Sequence, residues 1–142
     1  MIVERAERVL IAETDASVRR RLFKALLDRD LYSDTAADAG EVFQRLANRR
    51  YSIVILDLAL PGATAEAVLE RFRGGAAEER PIVIATGNPE GARGLDHELV
   101  QIVLRRPLNL GQLADLVESC LRGLREERAN VQSARPHPGA TL

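Results

Sequence analysis

The sequence predicts an α/β domain built on a doubly wound, five-stranded parallel sheet. Short runs rich in Val, Ile and Leu recur along the chain, and segments with helical spacing of apolar residues separate them. The clearest run, from Ile53 to Leu56, has no polar alternation and ends at Asp57. Such runs indicate strands that are covered on both faces, as in parallel sheets. The alternation of strands and helices therefore predicts helices on both faces, joined by right-handed crossovers.

Each element follows from a local pattern. Apolar runs predict strands, which are residues 8–12, the weaker edge strand 31–37, and residues 51–56, 81–85 and 102–104. Capping residues or helical spacing predict helices, which are those after Asp15, over 39–48 and 63–73, and after Asn109. A helix between the last two strands is doubtful, because one proline and three glycines crowd residues 87–94.

The length of the chain fits one domain. A chain of 142 residues is long enough to bury a substantial core. We interpret residues 1–7 as a lead-in, residues 8–128 as the folded domain and residues 129–142 as a disordered tail. The tail has few large apolar side chains, so it has little surface to bury on folding.

Composition excludes several function classes. The formal net charge of −1 gives no electrostatic case for binding nucleic acid, and we interpret pairs such as Arg49-Arg50 as solvated helix ends. The single cysteine, Cys120, excludes an intrachain disulfide and provides no metal-ligand pattern. No apolar run approaches the length of a membrane span, and the N-terminus lacks the pattern of a signal peptide. We therefore expect a cytoplasmic protein without membrane contact.

Polar side chains follow four of the predicted strands. Glu13 comes after the first strand, Asp57 ends the third, Thr86 follows the fourth, and Arg106 follows the fifth. The carboxyl ends of parallel strands meet at one edge of the sheet, which is where open α/β folds place their ligand sites. Asp57 on its own could simply begin a loop. The convergence of two acids, a hydroxyl and a base favours a functional site.

In this order, these residues resemble the receiver domain of two-component response regulators. The resemblance covers about residues 8 to 122 and is most specific at Leu56-Asp57, with Leu60-Pro61-Gly62 after it, and at the base before Pro107. It implies the flavodoxin-like strand order 2-1-3-4-5. It also implies a signalling domain without enzymatic activity.

The resemblance assigns a role to each site residue. Asp57 would accept a phosphoryl group from a histidine kinase or phosphotransfer protein, with Thr86 and Arg106 contacting the phosphoryl oxygens. Glu13, Asp57 and the carbonyl of Ala59 would hold Mg²⁺, which prefers oxygen ligands.

Three positions depart from the family pattern. Thr14 stands where the main metal-binding carboxylate is expected, so we predict weak Mg²⁺ binding. Arg106 replaces a lysine, and its planar guanidinium could grip Asp57 bidentately. Val103 replaces the aromatic residue that the family couples to the threonine during signalling.

Two main hypotheses follow. The first is a stand-alone receiver in a phosphorelay, phosphorylated on Asp57 and acting through a downstream protein. The second is a pseudo-receiver that binds its partner without phosphorylation. A flavodoxin-like enzyme or nucleotide binder is a third alternative, disfavoured because no glycine-rich phosphate loop follows the first strand. The sequence leaves open the cognate partners and whether the chain forms a homodimer.

Overall fold

A computed structural model of the chain describes residues 7–134, with side-chain surroundings described as far as residue 130. It contains five strands, four α-helices and two short 3₁₀ turns within those residues. In chain order, these are β1 (Arg8–Ala12), α1 (Ala16–Leu27), β2 (Tyr32–Ala36), α2 (Ala39–Asn48), β3 (Ile53–Asp57), α3 (Ala65–Glu70), the turn Ala77–Glu79, β4 (Ile82–Thr86), the turn Pro89–Ala92, β5 (Ile102–Leu104) and α4 (Leu110–Ala134).

The five strands form one parallel sheet in the order β2-β1-β3-β4-β5. This confirms the predicted doubly wound architecture and strand order. The register places Asp57 on β3 directly beside Thr86 on β4. The polar residues after the strands therefore meet at the carboxyl edge of the sheet, as the sequence predicts.

Helices cover both faces of the sheet and bury a separate core on each. Successive residues of a strand point to opposite faces, so β1 contributes Leu10 to one core and Ile11 to the other. Helices α2 and α3 pack on the first face, while α1 and α4 pack on the second. All five residues of β3 are buried, which explains its uninterrupted apolar sequence before Asp57.

Two helix starts are confirmed in detail. The carboxylate of Asp15 accepts hydrogen bonds from the backbone N–H groups of Ser17 and Val18 at the start of α1. The side chain of Asn109 accepts one from Gln112 N at 3.0 Å, at the start of α4. Both side chains satisfy N–H groups that have no partner inside the helix.

The doubtful helix between β4 and β5 is absent. Only the 3₁₀ turn Pro89–Ala92 forms there, and Gly94 has a φ of +81°, which disfavours continued helix. Leu95, Leu99 and Val100 are buried and cover the sheet in place of a helix. Strand–helix alternation therefore fails at this one unit, because glycine and proline prevent a helix while apolar residues still anchor the segment.

The prediction of a disordered tail from residue 129 is wrong for residues 129–134, since α4 continues to Ala134. Good helix formers such as Ala and Gln extend a helix that earlier turns have already nucleated. Residues 1–6 of the predicted lead-in and residues 135–142 of the predicted tail lie outside the described part. Glu7 is described, and its carboxylate pairs with Arg125 and Arg128 of α4.

Within residues 7–134, no helix is both long and apolar enough to span a membrane.

Candidate functional site

Glu13 is a buried carboxylate directly after β1. Its side chain is 3% exposed, and its backbone N–H donates to Ala36 O on the neighbouring strand at 3.0 Å. Its Oε2 accepts a hydrogen bond from Asp15 N at 2.9 Å, and its Oε1 contacts Arg106. Burial of a carboxylate is costly unless it is paired and hydrogen-bonded, and both conditions are met here.

Asp57 ends β3 with its carboxylate 4% exposed. Its Oδ1 accepts a hydrogen bond from Ala59 N at 2.9 Å, within the turn that follows the strand. Its Oδ2 accepts one from Thr14 N at 3.0 Å, which ties the loop after β1 to the end of β3. Both carboxylate oxygens are thus engaged by backbone donors.

Arg106 joins the polar residues at the carboxyl edge. Its Nη2 atom lies 3.3 Å from Oδ2 of Asp57, donates to Thr86 Oγ1 at 3.2 Å and also pairs with Oε1 of Glu13. Thr86 is fully buried, whereas the Arg106 side chain is 34% exposed. One guanidinium therefore connects the ends of β1, β3 and β4 from its position after β5.

The expected bidentate grip of Arg106 on Asp57 is wrong. A single nitrogen, Nη2, makes the contact with Asp57, and the same nitrogen is shared with Glu13. Two buried carboxylates lie close enough together to compete for the cation, so the fork does not align with either one alone. The two carboxylates therefore share a single positive charge, which compensates part of their combined negative charge.

The pKa of Asp57 is lowered from its ordinary value. Burial acts in the opposite direction, because it disfavours the charged form, and it is the largest single influence. The side chain of Thr14, the backbone N–H groups of Ala59 and Thr14, and the charge of Arg106 together outweigh burial. Asp57 is therefore held as an ionised carboxylate.

Arg19 contributes to the site and was missed in the sequence. From one turn into α1, its Nη1 donates to the backbone carbonyl of Glu13 at 2.8 Å and approaches that of Thr14 at 3.4 Å. It thereby fixes the loop whose Thr14 N–H reaches Asp57. In the sequence, the signal for this role was an arginine shortly after Asp15, the residue that caps α1. Whether that arginine reaches the carbonyls of the loop depends on the fold.

The residues present do not fit Mg²⁺ in this arrangement. Glu13 and Asp57 are the carboxylates of the predicted site, and within residues 7–134 no group of three His, Cys, Asp or Glu side chains could hold a metal ion. Arg106 lies against both carboxylates, where a dication would need their free oxygens. Ala59, whose backbone carbonyl is the remaining predicted ligand, is exposed in the turn after β3. Thr14 supplies a neutral side chain instead of a third acid.

Comparisons with known proteins bear on the fold and on the resemblance to receiver domains. No protein-family model matches the chain. Regulatory protein VanRB of Enterococcus faecalis is 28% identical over 118 residues, which are 81% of this chain and 52% of that protein. The chain thus spans about half the length of this curated relative.

Comparison with solved structures identifies the fold. A CheY-like response regulator receiver domain protein from Methanospirillum hungatei superposes with a TM-score of 0.72 at 20% identity, covering 85% of this chain and 98% of that one. The chain has the receiver fold. A two-component response regulator from Clostridium difficile gives a TM-score of 0.71 at 18% identity, covering 82% of this chain and 96% of that one. The resemblance of this chain to response regulator receiver domains is confirmed.

Proposed function

We propose that this receiver domain is a signalling module that binds protein partners in a form fixed by Arg106, without phosphorylation of Asp57. The observation that carries the proposal is the contact of Arg106 Nη2 with Glu13, Asp57 and Thr86. A permanent cation there supplies the charge balance that a phosphoryl group and its metal would otherwise have to establish.

The contacts of Arg106 support a single, fixed surface. The hydroxyl of Thr86 is already held by the guanidinium, so it has a partner without a phosphoryl oxygen. Val103 on β5 is 40% exposed and lacks a ring that could move between two positions. Because the segment between β4 and β5 is anchored by buried leucines instead of a helix, we expect this surface to stay in one conformation.

A second candidate function is the ordinary one of a phosphoacceptor. It is favoured by Asp57 itself, an ionised carboxylate at the carboxyl edge of the sheet next to a buried threonine. In this alternative, Arg106 would swing from the two acids to the transferred phosphoryl group, and a metal would have to replace it between Glu13 and Asp57. The partners would then include a histidine kinase or phosphotransfer protein.

The remaining expectations accompany either function. We propose that the domain has no enzymatic turnover of its own and that its effect passes through a downstream protein. Its cytoplasmic location stays a prediction, and homodimer formation stays open.

The experiment compares partner binding before and after treatment with phosphodonor. A partner would be identified by crosslinking in cells, and its affinity for the purified domain measured with and without acetyl phosphate plus Mg²⁺. The modified fraction would be determined by intact mass spectrometry. Equal affinities at substantial modification, or no modification under conditions that modify an active receiver, support the proposal. A more than tenfold gain in affinity on modification, about 1.4 kcal/mol, would favour the second candidate instead.

A further inference from the structure

The amino edge of the sheet, opposite the Asp57 site, contains a cavity of about 300 Å³. Four arginines from three different segments line it: Arg49, Arg50, Arg71 and Arg80. The first two follow α2, Arg71 follows α3, and Arg80 precedes β4. The sequence suggests only a solvated helix end at Arg49-Arg50, whereas the fold adds two distant arginines to the same cavity.

The arginines of this cavity are weakly compensated. Glu79 is the acid among its lining residues, and its carboxylate lies 3.8 Å from Arg50. Arg49 approaches Asp34 at 3.9 Å, a distance near the limit for an ion pair. Each contact is longer than a charge-assisted hydrogen bond of about 2.8 Å. The cavity therefore carries a clear excess of positive charge.

Arg71 and Arg80 form no ion pair with a carboxylate among the residues whose side chains are described, although the charge of Arg80 contributes to lowering the pKa of Asp96. Arg71 places its guanidinium 4.2 Å from the ring centroid of Phe43, which fixes the side chain while leaving its N–H groups free of acids. Arg80 donates through Nη2 to Arg73 O at 3.0 Å, but its Nε is buried without a hydrogen-bond partner. A buried donor left unsatisfied is unfavourable, so this guanidinium has hydrogen-bonding capacity that the fold does not use.

Apolar side chains complete the wall of the cavity. Tyr51 and Phe72 are 5% and 6% exposed and form its floor together with Leu46 and Pro81. Binding pockets for small molecules combine such apolar walls with a few convergent polar groups. Guanidinium forks match the geometry of phosphate oxygens.

We propose that this cavity binds a small molecule that carries a phosphate group. Arg71 and Arg80 contact the phosphate oxygens, and Arg49 and Arg50 contribute charge at the rim. The proposal does not depend on the function of the Asp57 site. Tyr51 and Asp57 are six residue steps apart along nearly extended chain, about 20 Å at the usual rise per strand residue.

Isothermal titration calorimetry in EDTA tests the cavity with three probes: inorganic pyrophosphate, ATP and adenosine. We expect pyrophosphate and ATP to bind, and adenosine to bind at least about tenfold more weakly than ATP. Tighter binding of ATP than of pyrophosphate identifies a nucleotide as the ligand class, whereas equal binding shows that phosphate alone is recognised. Amide NMR shifts at residues 49–51 and 71–80, and not at 57–59 or 86, would locate the site.

Substitution provides the decisive comparison. Arg71→Gln and Arg80→Gln should each weaken binding about tenfold, whereas Arg122→Gln, on the exposed face of α4, should leave it unchanged. Thermal unfolding would verify that each variant folds, and Arg80→Lys keeps the charge if Arg80→Gln does not fold. Absence of binding by both phosphate probes, equal weakening by Arg122→Gln, or shifts confined to the Asp57 site would overturn the proposal.

Discussion

Arg106 holds its Nη2 atom 3.3 Å from Oδ2 of Asp57, although the two residues lie at the ends of different strands. Asp57 closes β3, while Arg106 follows β5, and β4 separates these strands in the sheet. The long guanidinium side chain spans β4 and reaches the buried carboxylate. This ion pair is the central feature of the site, because it engages both the carboxylate proposed as the phosphoryl acceptor and the base proposed to contact the phosphoryl oxygens.

Replacing Arg106 should destabilise the domain. Arg106→Ala leaves Glu13 and Asp57 buried without their shared cation, and removing one partner of a buried pair is costly. Because the Arg106 side chain is 34% exposed, solvent screening reduces the effect, and we expect a loss of about 1–3 kcal/mol in the free energy of unfolding. Urea denaturation measures it. Arg105→Ala, at the exposed neighbouring arginine, is the matched control, and equal losses in both variants would show that the ion pairs contribute nothing.

The stability of the domain should depend on pH through Asp57. Its pKa in the folded state is depressed, so the ionised carboxylate stabilises the fold at pH values above the unfolded pKa of about 4. This contribution is lost as the pH falls through the folded pKa. Asp57→Asn should therefore flatten the decline in unfolding free energy between pH 5 and pH 3. An unchanged pH profile in Asp57→Asn would contradict the assignment.

Binding of Mg²⁺ should be weak and should depend on Thr14. A neutral residue stands in place of an acid, and Arg106 competes for the two carboxylates that remain. We expect Thr14→Asp to tighten Mg²⁺ binding about 10–100-fold, the scale seen when the surroundings of a metal are restored. Calorimetric titration of both proteins measures the change. Wild-type binding as tight as that of Thr14→Asp would refute the role given to Thr14.

If the domain is modified by a phosphodonor at all, the modified residue should be Asp57. It is the carboxylate at the end of β3, and Thr86 lies directly beside it on β4. Phosphate-affinity electrophoresis after treatment with acetyl phosphate tests this. A modified band that persists in Asp57→Asn would place the modification elsewhere.

The sequence predicts the sheet well because its strands are apolar runs with polar residues at their carboxyl ends. The run from Ile53 to Leu56 is apolar without polar alternation, as in a buried strand. Its position fixes Asp57 at the carboxyl edge of the sheet. The segment between β4 and β5 is less predictable, because Leu95 and Leu99 supply core contacts that resemble a helix pattern while Gly94 prevents the helix. The end of α4 is also less predictable, because residues 129–134 gain helix from propagation alone.

The candidate site could be predicted as a set of residues but not as a geometry. Strand order brings Glu13, Asp57, Thr86 and Arg106 together, and this follows from the sequence once the sheet is parallel. Which carboxylate the guanidinium prefers depends on distances of a few tenths of an ångström. The sharing of Nη2 between Glu13 and Asp57, and the part played by Arg19, therefore emerge only from the folded arrangement.

The most direct test of the account is the NMR response to acetyl phosphate plus Mg²⁺ in two proteins. The wild type should show only small shifts across residues 82–106, because Arg106 already occupies the acids and Thr86. The double variant Thr14→Asp/Arg106→Lys regains a metal ligand and replaces the fork with a mobile ammonium group, so it should show large shifts there. Arg105→Lys provides the control for an arginine-to-lysine change alone. A wild-type response as large as that of the double variant would contradict the proposal that Arg106 fixes the domain.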